Sequence, residues 1–380
     1  MKKILIIYHY FPHYRLPILK ALSKQVNEGF EYTFLSGFTT DVPLNILKKE
    51  DVSTLNFISA KNKWFFNKIL WQTKVLRHSI SSEYDCIIYL GSPNFITTWL
   101  GAIIAKIIGK PTLFWTHGFL NSRNFRDRLK KIFFSIPKGL LLYGNNARNN
   151  LISRGFKSES LFVIYNSLDY NKQIEIKKNI KSEDVFKLKK QLFKNSNLPV
   201  IIFIGRLTYQ KKLNDIVVIT QKLHNQGIPI NVLFVGDGIM RDDLNKSVEQ
   251  NSLSDYFTFF GKCHDEHQLA HLITLSDICV SPGEVGLTAI HSLVYGTPVI
   301  SHDCNEFQMP EYEAIVDGVN GGLYKYGSLE SLYHKVKEWL VKDNSQETKD
   351  NFSKIIDDYY NPNIQSILIN KAVKEIVNEK

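Results

Sequence analysis

Ser281-Pro-Gly-Glu-Val-Gly-Leu-Thr-Ala-Ile-His-Ser-Leu-Val-Tyr-Gly-Thr-Pro-Val-Ile300 joins a glycine-bearing turn, a helix and the start of a strand. The apolar run Ile278-Cys279-Val280 just before it reads as a buried strand. Leu287, Ile290, Leu293 and Val294 recur at helical spacing until Gly296 closes the helix, and Thr297-Pro298-Val299-Ile300 opens the next strand. A helix beginning near Gly286 points several unpaired backbone N–H groups, with the positive end of its dipole, beyond the end of the strand. A phosphate suits that position.

Working outward, a second strand-turn-helix unit stands upstream in Pro199-Val-Ile-Ile-Phe-Ile-Gly-Arg-Leu-Thr-Tyr-Gln-Lys-Lys212. Gly205 lets the chain turn after the apolar strand Val200 to Ile204, and Arg206 and Lys211 flank the turn. Ligands of open α/β sheets bind at the carboxyl ends of the strands, within reach of both cations. Two positive charges and a row of amide donors would thus surround a diphosphate.

With these residues in place, the sequence resembles glycosyltransferase family 4, the retaining nucleotide-sugar transferases of GT-B fold, over nearly the whole chain. Gly205-Arg206-Leu207 with Lys211 is similar to the family's diphosphate-binding Gly-Arg-Leu-x3-Lys. Phe234-Val235-Gly236-Asp237-Gly238 resembles its Val-Gly-Asp-Gly turn, and Phe260-Gly261-Lys262 the loop lying against the nucleotide base. Glu313-Ala-Ile-Val-Asp-Gly318 with Asn320-Gly321 is similar to Glu-Ile-Val-x-Asp-Gly-x-x-Gly. Thr116-His117-Gly118 matches a His-Gly turn at the cleft, and Tyr165-Asn166-Ser167-Leu168-Asp169 the element that ends the first domain. The resemblance implies two doubly wound Rossmann-like α/β domains facing across a cleft, with donor contacts at Gly205, Gly236, Gly261, Lys262, Val285, Gly286, Leu287, Thr288 and His291. It also implies a reaction that needs no metal or other cofactor.

One motif departs from the family. Its signature has two glutamates separated by seven residues, the second five residues after a glycine at the helix start. Counted from Gly286, the second position is His291, the first is Gly283, and Glu284 comes one residue late. A neutral imidazole offers one donor and one acceptor, whereas a carboxylate accepts from both ribose hydroxyls. His291 therefore reads either as an altered ribose contact or as a packing residue whose ring is satisfied by backbone.

At 380 residues the chain suggests two domains, and its 44% hydrophobic content comes without low-complexity tracts. No apolar stretch approaches the roughly 20 residues of a membrane-spanning helix. Ile4 to Ile7 is too short for a signal-peptide core, so a cytoplasmic location is expected. Four cysteines, Cys86, Cys263, Cys279 and Cys304, show no Cys-x2-Cys pairing and read as packing thiols. His264-Asp265-Glu266-His267 reads as the start of a polar helix, and no metal site is expected.

Strands are expected at Lys3 to Tyr8, Glu31 to Leu35, Cys86 to Leu90, Pro111 to Trp115, Leu140 to Tyr143 and Leu161 to Ile164. They make residues 1–169 an acceptor domain of doubly wound type. The Lys- and Asn-rich span 170–198 reads as an inter-domain connection, 199–345 as the donor domain, and 346–380 as helices that cross back to the first domain.

Charge is uneven. Residues 1–169 hold 23 Lys and Arg against 10 Asp and Glu, a net of +13, within a whole-chain charge of +10. Such a field favours an anionic partner. No helix-turn-helix, RNP or zinc pattern accompanies it, so an anionic membrane surface is expected rather than nucleic acid. Read as a helix, Lys61 to Ile80 puts Trp64, Lys68, Trp71 and Val75 on a face distinct from Phe66, Ile69, Leu70, Thr73 and Leu76. Arg123, Arg126, Arg128, Lys130 and Lys131 add a second basic cluster. Pro12-His13-Tyr14-Arg15-Leu16-Pro17 resembles an N-terminal loop of family members that build cell-surface polysaccharide. This makes His13, Tyr14 and Arg15 acceptor candidates, with Arg15 meeting an acceptor phosphate or capping the first helix.

Breaking a sugar–phosphate bond builds charge on the β-phosphate, and donors already aimed there lower the barrier. Arg206, Lys211 and the amides near Gly286 and Leu287 fit that role. Family members retain the anomeric configuration, with Glu284 and His117 the candidates to touch the transferred sugar; a helix-start histidine is the alternative for His117. Together these features read as a hexosyltransferase that uses a nucleotide-sugar to extend a glycan or lipid-linked glycan of lipopolysaccharide, capsule or exopolysaccharide. It would sit at the inner face of the plasma membrane. The rival is a catalytically silent nucleotide-sugar-binding partner subunit. A dinucleotide oxidoreductase is disfavoured, because Tyr8-His9-Tyr10-Phe11-Pro12 stands where a Gly-x-Gly-x2-Gly turn would follow the first strand.

Overall fold

The computed structural model describes residues 1–40, 45–119, 126–342 and 345–378. It divides into two compact units, Met1–Asp169 with Asn361–Lys380, and Tyr170–Tyr360.

The first unit carries strands β1 (Lys2–Ile7), β2 (Phe30–Ser36), β3 (Phe57–Ser59), β4 (Asn62–Phe65), β5 (Ile69–Gln72), β6 (Cys86–Leu90), β7 (Thr112–Thr116), β8 (Gly139–Leu142) and β9 (Leu161–Val163). Seven of them form one sheet in the order β3-β2-β1-β6-β7-β8-β9. Its strand pairs are all parallel. Parallel strands are covered on both faces, so Ile4 to Ile7, Cys86 to Tyr89 and Gly139 to Leu142 read as unbroken apolar runs. Ile18, Leu19 and Leu22 from the helix Leu16–Ser23, with Ile369 and Val373 from Pro362–Asn378, cover one face. Val75, Ala102 and Phe133, from the helices Val75–Ile80, Ile96–Ile107 and Arg126–Phe134, cover the other.

Of the helix expected over Lys61 to Ile80, only Val75–Ile80 forms. β4 and β5 make an antiparallel hairpin with Trp64 opposite Leu70 and Lys63 opposite Trp71. The turn places Phe66 and Asn67 at φ of 51° and 52°, and the Lys68 N–H donates to the Phe65 carbonyl at 3.1 Å. Left-handed central residues suit the twist of a hairpin. Trp64 and Trp71 therefore lie on opposite faces of the hairpin, and no Trp64-Lys68-Trp71 stripe exists. Arg123 lies outside the described residues.

The second unit has β10 (Val200–Ile204), β11 (Asn231–Val235), β12 (Phe257–Gly261), β13 (Ile278–Val280), β14 (Val299–His302) and β15 (Gly321–Tyr324), ordered β12-β11-β10-β13-β14-β15. Their pairing is parallel throughout. Residues 170–198 are part of this unit rather than a free connection: the helix Tyr170–Asn179 is tied in through Gln173, whose side-chain amide donates to Glu266 at 3.1 Å. The expectation for 346–380 needs a similar correction. The helix Gln346–Asp358 stays in the second unit, with Phe352 against Trp339, ring centroids 5.8 Å apart. Only Pro362–Asn378 joins the first unit, where Asn370 accepts from the Tyr32 hydroxyl at 2.6 Å.

In each sheet the chain runs outward one way from its first strand and then restarts on the other side, between β1 and β6 and between β10 and β13. Loops at the carboxyl ends of strands splay apart at such a reversal, leaving a crevice.

Candidate functional site

In the second unit, the loops after β10, β11 and β13 pack backbone on backbone. Gly205 N–H donates to Val235 O at 2.9 Å, Gly236 N–H to Gly261 O at 2.8 Å, and Gly283 N–H to Lys211 O at 3.0 Å. A Cβ on Gly236 would lie 1.8 Å from the Gly205 carbonyl oxygen, and one on Gly283 would lie 2.0 Å from that of Gln210. No side chain fits at either position. The missing first glutamate of the family signature has its explanation there, since residue 283 sits directly against the Gln210-Lys211 backbone.

Glu284, one residue on, reaches Lys211 instead. Lys211 Nζ donates to the Glu284 carbonyl at 2.8 Å and stands 3.3 Å from its Oε1. Arg206 is exposed on the same loop. The helix expected near Gly286 begins at Thr288 and runs to Val294, with the Ala289 N–H donating to Gly286 O at 2.9 Å. The amides of Gly286, Leu287 and Thr288 precede the first carbonyl that could serve them. Thr288 Oγ1 donates to Ile204 O at 3.0 Å, tying this helix start to the end of β10. Gln308, missed by the sequence reading, fixes the loop from beneath: its Oε1 accepts from Val285 N–H at 2.8 Å, while its Nε2 donates to Ser301 Oγ and His302 O at 2.8 and 2.9 Å. Only burial marks this residue out. Lys262, at the end of the Gly261 turn, is 3.8 Å from Asp237, which also faces Arg241 at 3.9 Å.

His291 has a partner that neither sequence reading supplied. Its Nε2 lies 2.9 Å from Glu266 Oε1, which also accepts from Tyr295 OH at 2.7 Å and from Gln173 Nε2 at 3.1 Å. Burial pushes the Glu266 carboxyl up, but the His291, Tyr295 and Gln173 contacts outweigh it and bring the group down to about 2. The ring is thus held by a carboxylate rather than by backbone.

In the first unit, a cavity of about 460 Å³ opens at the carboxyl ends of β1, β6 and β7. Tyr14, Arg15, His117 and Tyr143 line it together with His9, another residue the sequence reading passed over. His13 is exposed and is not part of the lining. Arg15 is buried, donates from Nη2 to Tyr143 OH at 2.6 Å, and stacks 5.1 Å from the Trp115 ring. Burial, helped by the Arg15 charge, lowers His117 to about 4, and burial alone lowers His9 to about 4. Both rings are neutral near pH 7, and among the described residues neither Nδ1 has a hydrogen-bond partner. Two neutral imidazoles in an aromatic-lined cavity suit hydroxyl groups.

Residues 184–356 match the family of glycosyl transferases group 1. The match lies wholly within the second unit. Among curated relatives, 2-deoxystreptamine glucosyltransferase of Streptomyces kanamyceticus is 31% identical over 107 residues, 27% of either chain. The first such relatives are matched over about a third of their own length or less. Alpha-monoglucosyldiacylglycerol synthase of Streptococcus pneumoniae is 25% identical over an alignment of 403 positions, covering 94% of this chain and 83% of the other. Among solved structures, Anabaena Alr3699/HepE in complex with UDP superposes with a TM-score of 0.73 at 18% identity, over 98% of this chain and 100% of that one. The fold is GT-B, built from two Rossmann-like units.

Proposed function

We propose that the protein is a retaining glycosyltransferase that moves a sugar from a nucleoside-diphosphate sugar, a uridine diphosphate sugar by preference, to a glycan or lipid-linked glycan of the cell surface. The carrying observation is the glycine-packed turn in which Lys211, Glu284 and the amides of Gly286 to Thr288 converge beside Arg206 at the β10/β13 reversal. Backbone that close leaves room for phosphate oxygens and for little else. The uridine preference is supported by the UDP-bound Anabaena structure, and the lipid-linked acceptor by the pneumococcal relative, by name a glycolipid synthase.

In this reading the anomeric C–O bond to the β-phosphate breaks and its electron pair stays on the phosphate oxygen. Lys211 turns from Glu284 toward that oxygen, and Arg206 and the amides share the growing charge. The acceptor hydroxyl forms the new bond on the same face, and its proton passes to the departing phosphate. Glu284, released by Lys211, accepts from a hydroxyl of the transferred sugar, and in the cavity of the first unit His117 Nδ1 binds a sugar hydroxyl. Gly261 and Lys262 lie against the base, and His291, aimed by Glu266, borders the ribose. Tyr14 and Arg15 serve the acceptor.

The test is a panel of nucleotide sugars incubated with the purified protein, reading donor hydrolysis and saturable nucleotide binding. Hydrolysis of one donor with matching nucleotide binding is expected. Saturable binding without turnover, with or without a glycan acceptor, would instead favour the silent partner, and absence of binding would remove the diphosphate site.

A further inference from the structure

The helix Ile96–Ile107 buries Thr97, Thr98, Gly101, Ala102 and Ala105, and turns Ile96, Leu100, Ile103 and Ile107 outward. Those four follow at spacings of four, three and four, a single stripe along the helix. A surface helix ordinarily gives its outward side to polar residues; here that side is aliphatic, and Ile107 is 78% exposed. Exposed apolar groups also stand on its neighbours. The helix Arg126–Phe134 packs beside it through Phe133 on Trp99, ring centroids 4.7 Å apart, and exposes Leu129 and Ile132. The β4–β5 hairpin joins at the other end, where Leu70 N–H donates to Asn94 O at 3.1 Å. Its turn presents Phe66, 90% exposed, beside a half-exposed Phe65. Apolar exposure gathered on three neighbouring elements marks a contact site.

Its surroundings say what kind of contact. Lys63 and Lys68 flank the hairpin tip, Lys106 interrupts the stripe, and Arg128 and Lys131 stand beside Leu129 and Ile132, all exposed. Residues 1–169, which bear them, have a net charge of +13. A second copy of the chain would oppose one basic rim to another. Aliphatic and aromatic side chains ringed by cations match an anionic bilayer, whose headgroups take the lysines and whose acyl boundary takes the apolar groups. No helix among the described residues is long and apolar enough to cross a membrane.

We infer that the outward side of the helices Ile96–Ile107 and Arg126–Phe134, with the Phe65-Phe66 hairpin tip, is a docking face for an anionic lipid bilayer. This replaces the tryptophan stripe expected from the sequence, and it does not depend on the nucleotide chemistry proposed for the second unit.

The experiment is sedimentation of the full chain with vesicles of phosphatidylcholine alone or with phosphatidylglycerol added. Wild type should pellet with the anionic vesicles, not with the neutral ones, and should be released by high salt. An Ile103→Glu, Ile107→Glu variant and a separate Phe66→Ser variant should each lose at least tenfold in partition. Both should keep the wild-type melting temperature and nucleotide-induced melting shift, because the substituted side chains are exposed. Unchanged pelleting by both variants would overturn the inference, as would failure of the wild type to bind. A wild-type dimer in analytical ultracentrifugation that the Ile103→Glu, Ile107→Glu variant dissociates would reassign the face to self-association. Loss of nucleotide binding in the wild type would strike the proposed reaction and leave the docking result standing.

Discussion

Glu266 offers a sharp test of how the departed signature position is held. Replacing it by Gln keeps the shape and removes the charge that faces His291 Nε2 at 2.9 Å. The folded carboxyl lies at about 2 against an ordinary value of 4.5. At about 1.4 kcal/mol per unit that difference corresponds to about 3 kcal/mol, reduced to about 2 kcal/mol for the residual solvent contact of the side chain. The sign follows from the direction of the shift. A lowered carboxyl contributes its full stability above pH 4.5, and the contribution is lost as pH falls from there toward 2. Urea unfolding of wild type and the Glu266→Gln variant at pH 7, 5, 4 and 3 reads this directly. At pH 7 the variant should be less stable by about 2 kcal/mol, and the gap should shrink by more than half by pH 3. Subtracting the two curves cancels every other carboxylate that titrates in this range. A gap that stays constant with pH, or no gap at pH 7, would refute the claim that a charged Glu266 holds His291.

Replacing Arg206 or Lys211 with Ala should lower kcat by about a hundredfold, about 3 kcal/mol, with a smaller effect on donor KM, because the charge they meet grows during bond breaking. Steady-state kinetics with the donor found in the panel checks this, and wild-type turnover in both variants would remove them from the phosphate site. Gly283→Ala should cost at least 2 kcal/mol of stability and most of the activity, since its Cβ lands 2.0 Å from the Gln210 oxygen; chemical unfolding of the variant measures it. His291→Glu, which restores the family's second glutamate, should destabilise at pH 7 more than His291→Gln and recover on acidification to pH 5, because it sets two carboxylates together. Melting temperatures of the two variants across that range report it, and equal values at pH 7 would mean that residue 291 faces away from Glu266. His117→Ala should reduce transfer while leaving free nucleotide binding intact, as read by kinetics beside a nucleotide melting shift.

The strands were legible because both sheets are parallel and covered on both sides, which writes each strand as an unbroken apolar run. Cys86–Leu90 and Val200–Ile204 have the bounds that their runs imply. The hairpin at 62–72 was not legible. Aromatic residues fall on both of its faces, Trp64 on one and Phe65 and Trp71 on the other, so the alternation of a strand is blurred and a helical period can be drawn through the same letters. Short β3, at the edge of its sheet, has too few residues to show any period.

The site divides along a similar line. Arg206, Lys211 and the helix start at Thr288 lie within short stretches of chain whose glycines announce them. The contacts that decide what the unusual residues do come from far away in sequence. Gln308 reaches Val285 across 23 residues and Glu266 reaches His291 across 25, and no pattern of spacing predicts either pair. Gly283 joins the two cases. Its loop lies so close to Gln210 that only glycine fits, which forces the nearest carboxylate to position 284, where the carbonyl and side chain of one residue both engage Lys211. An anion arriving at Lys211 must then displace Glu284, so the same local packing that removed the first glutamate makes the cation's release part of binding the donor. Kd for the free nucleoside diphosphate should accordingly fall in a Glu284→Gln variant while turnover also falls, a pairing that a mere loss of structure would not give.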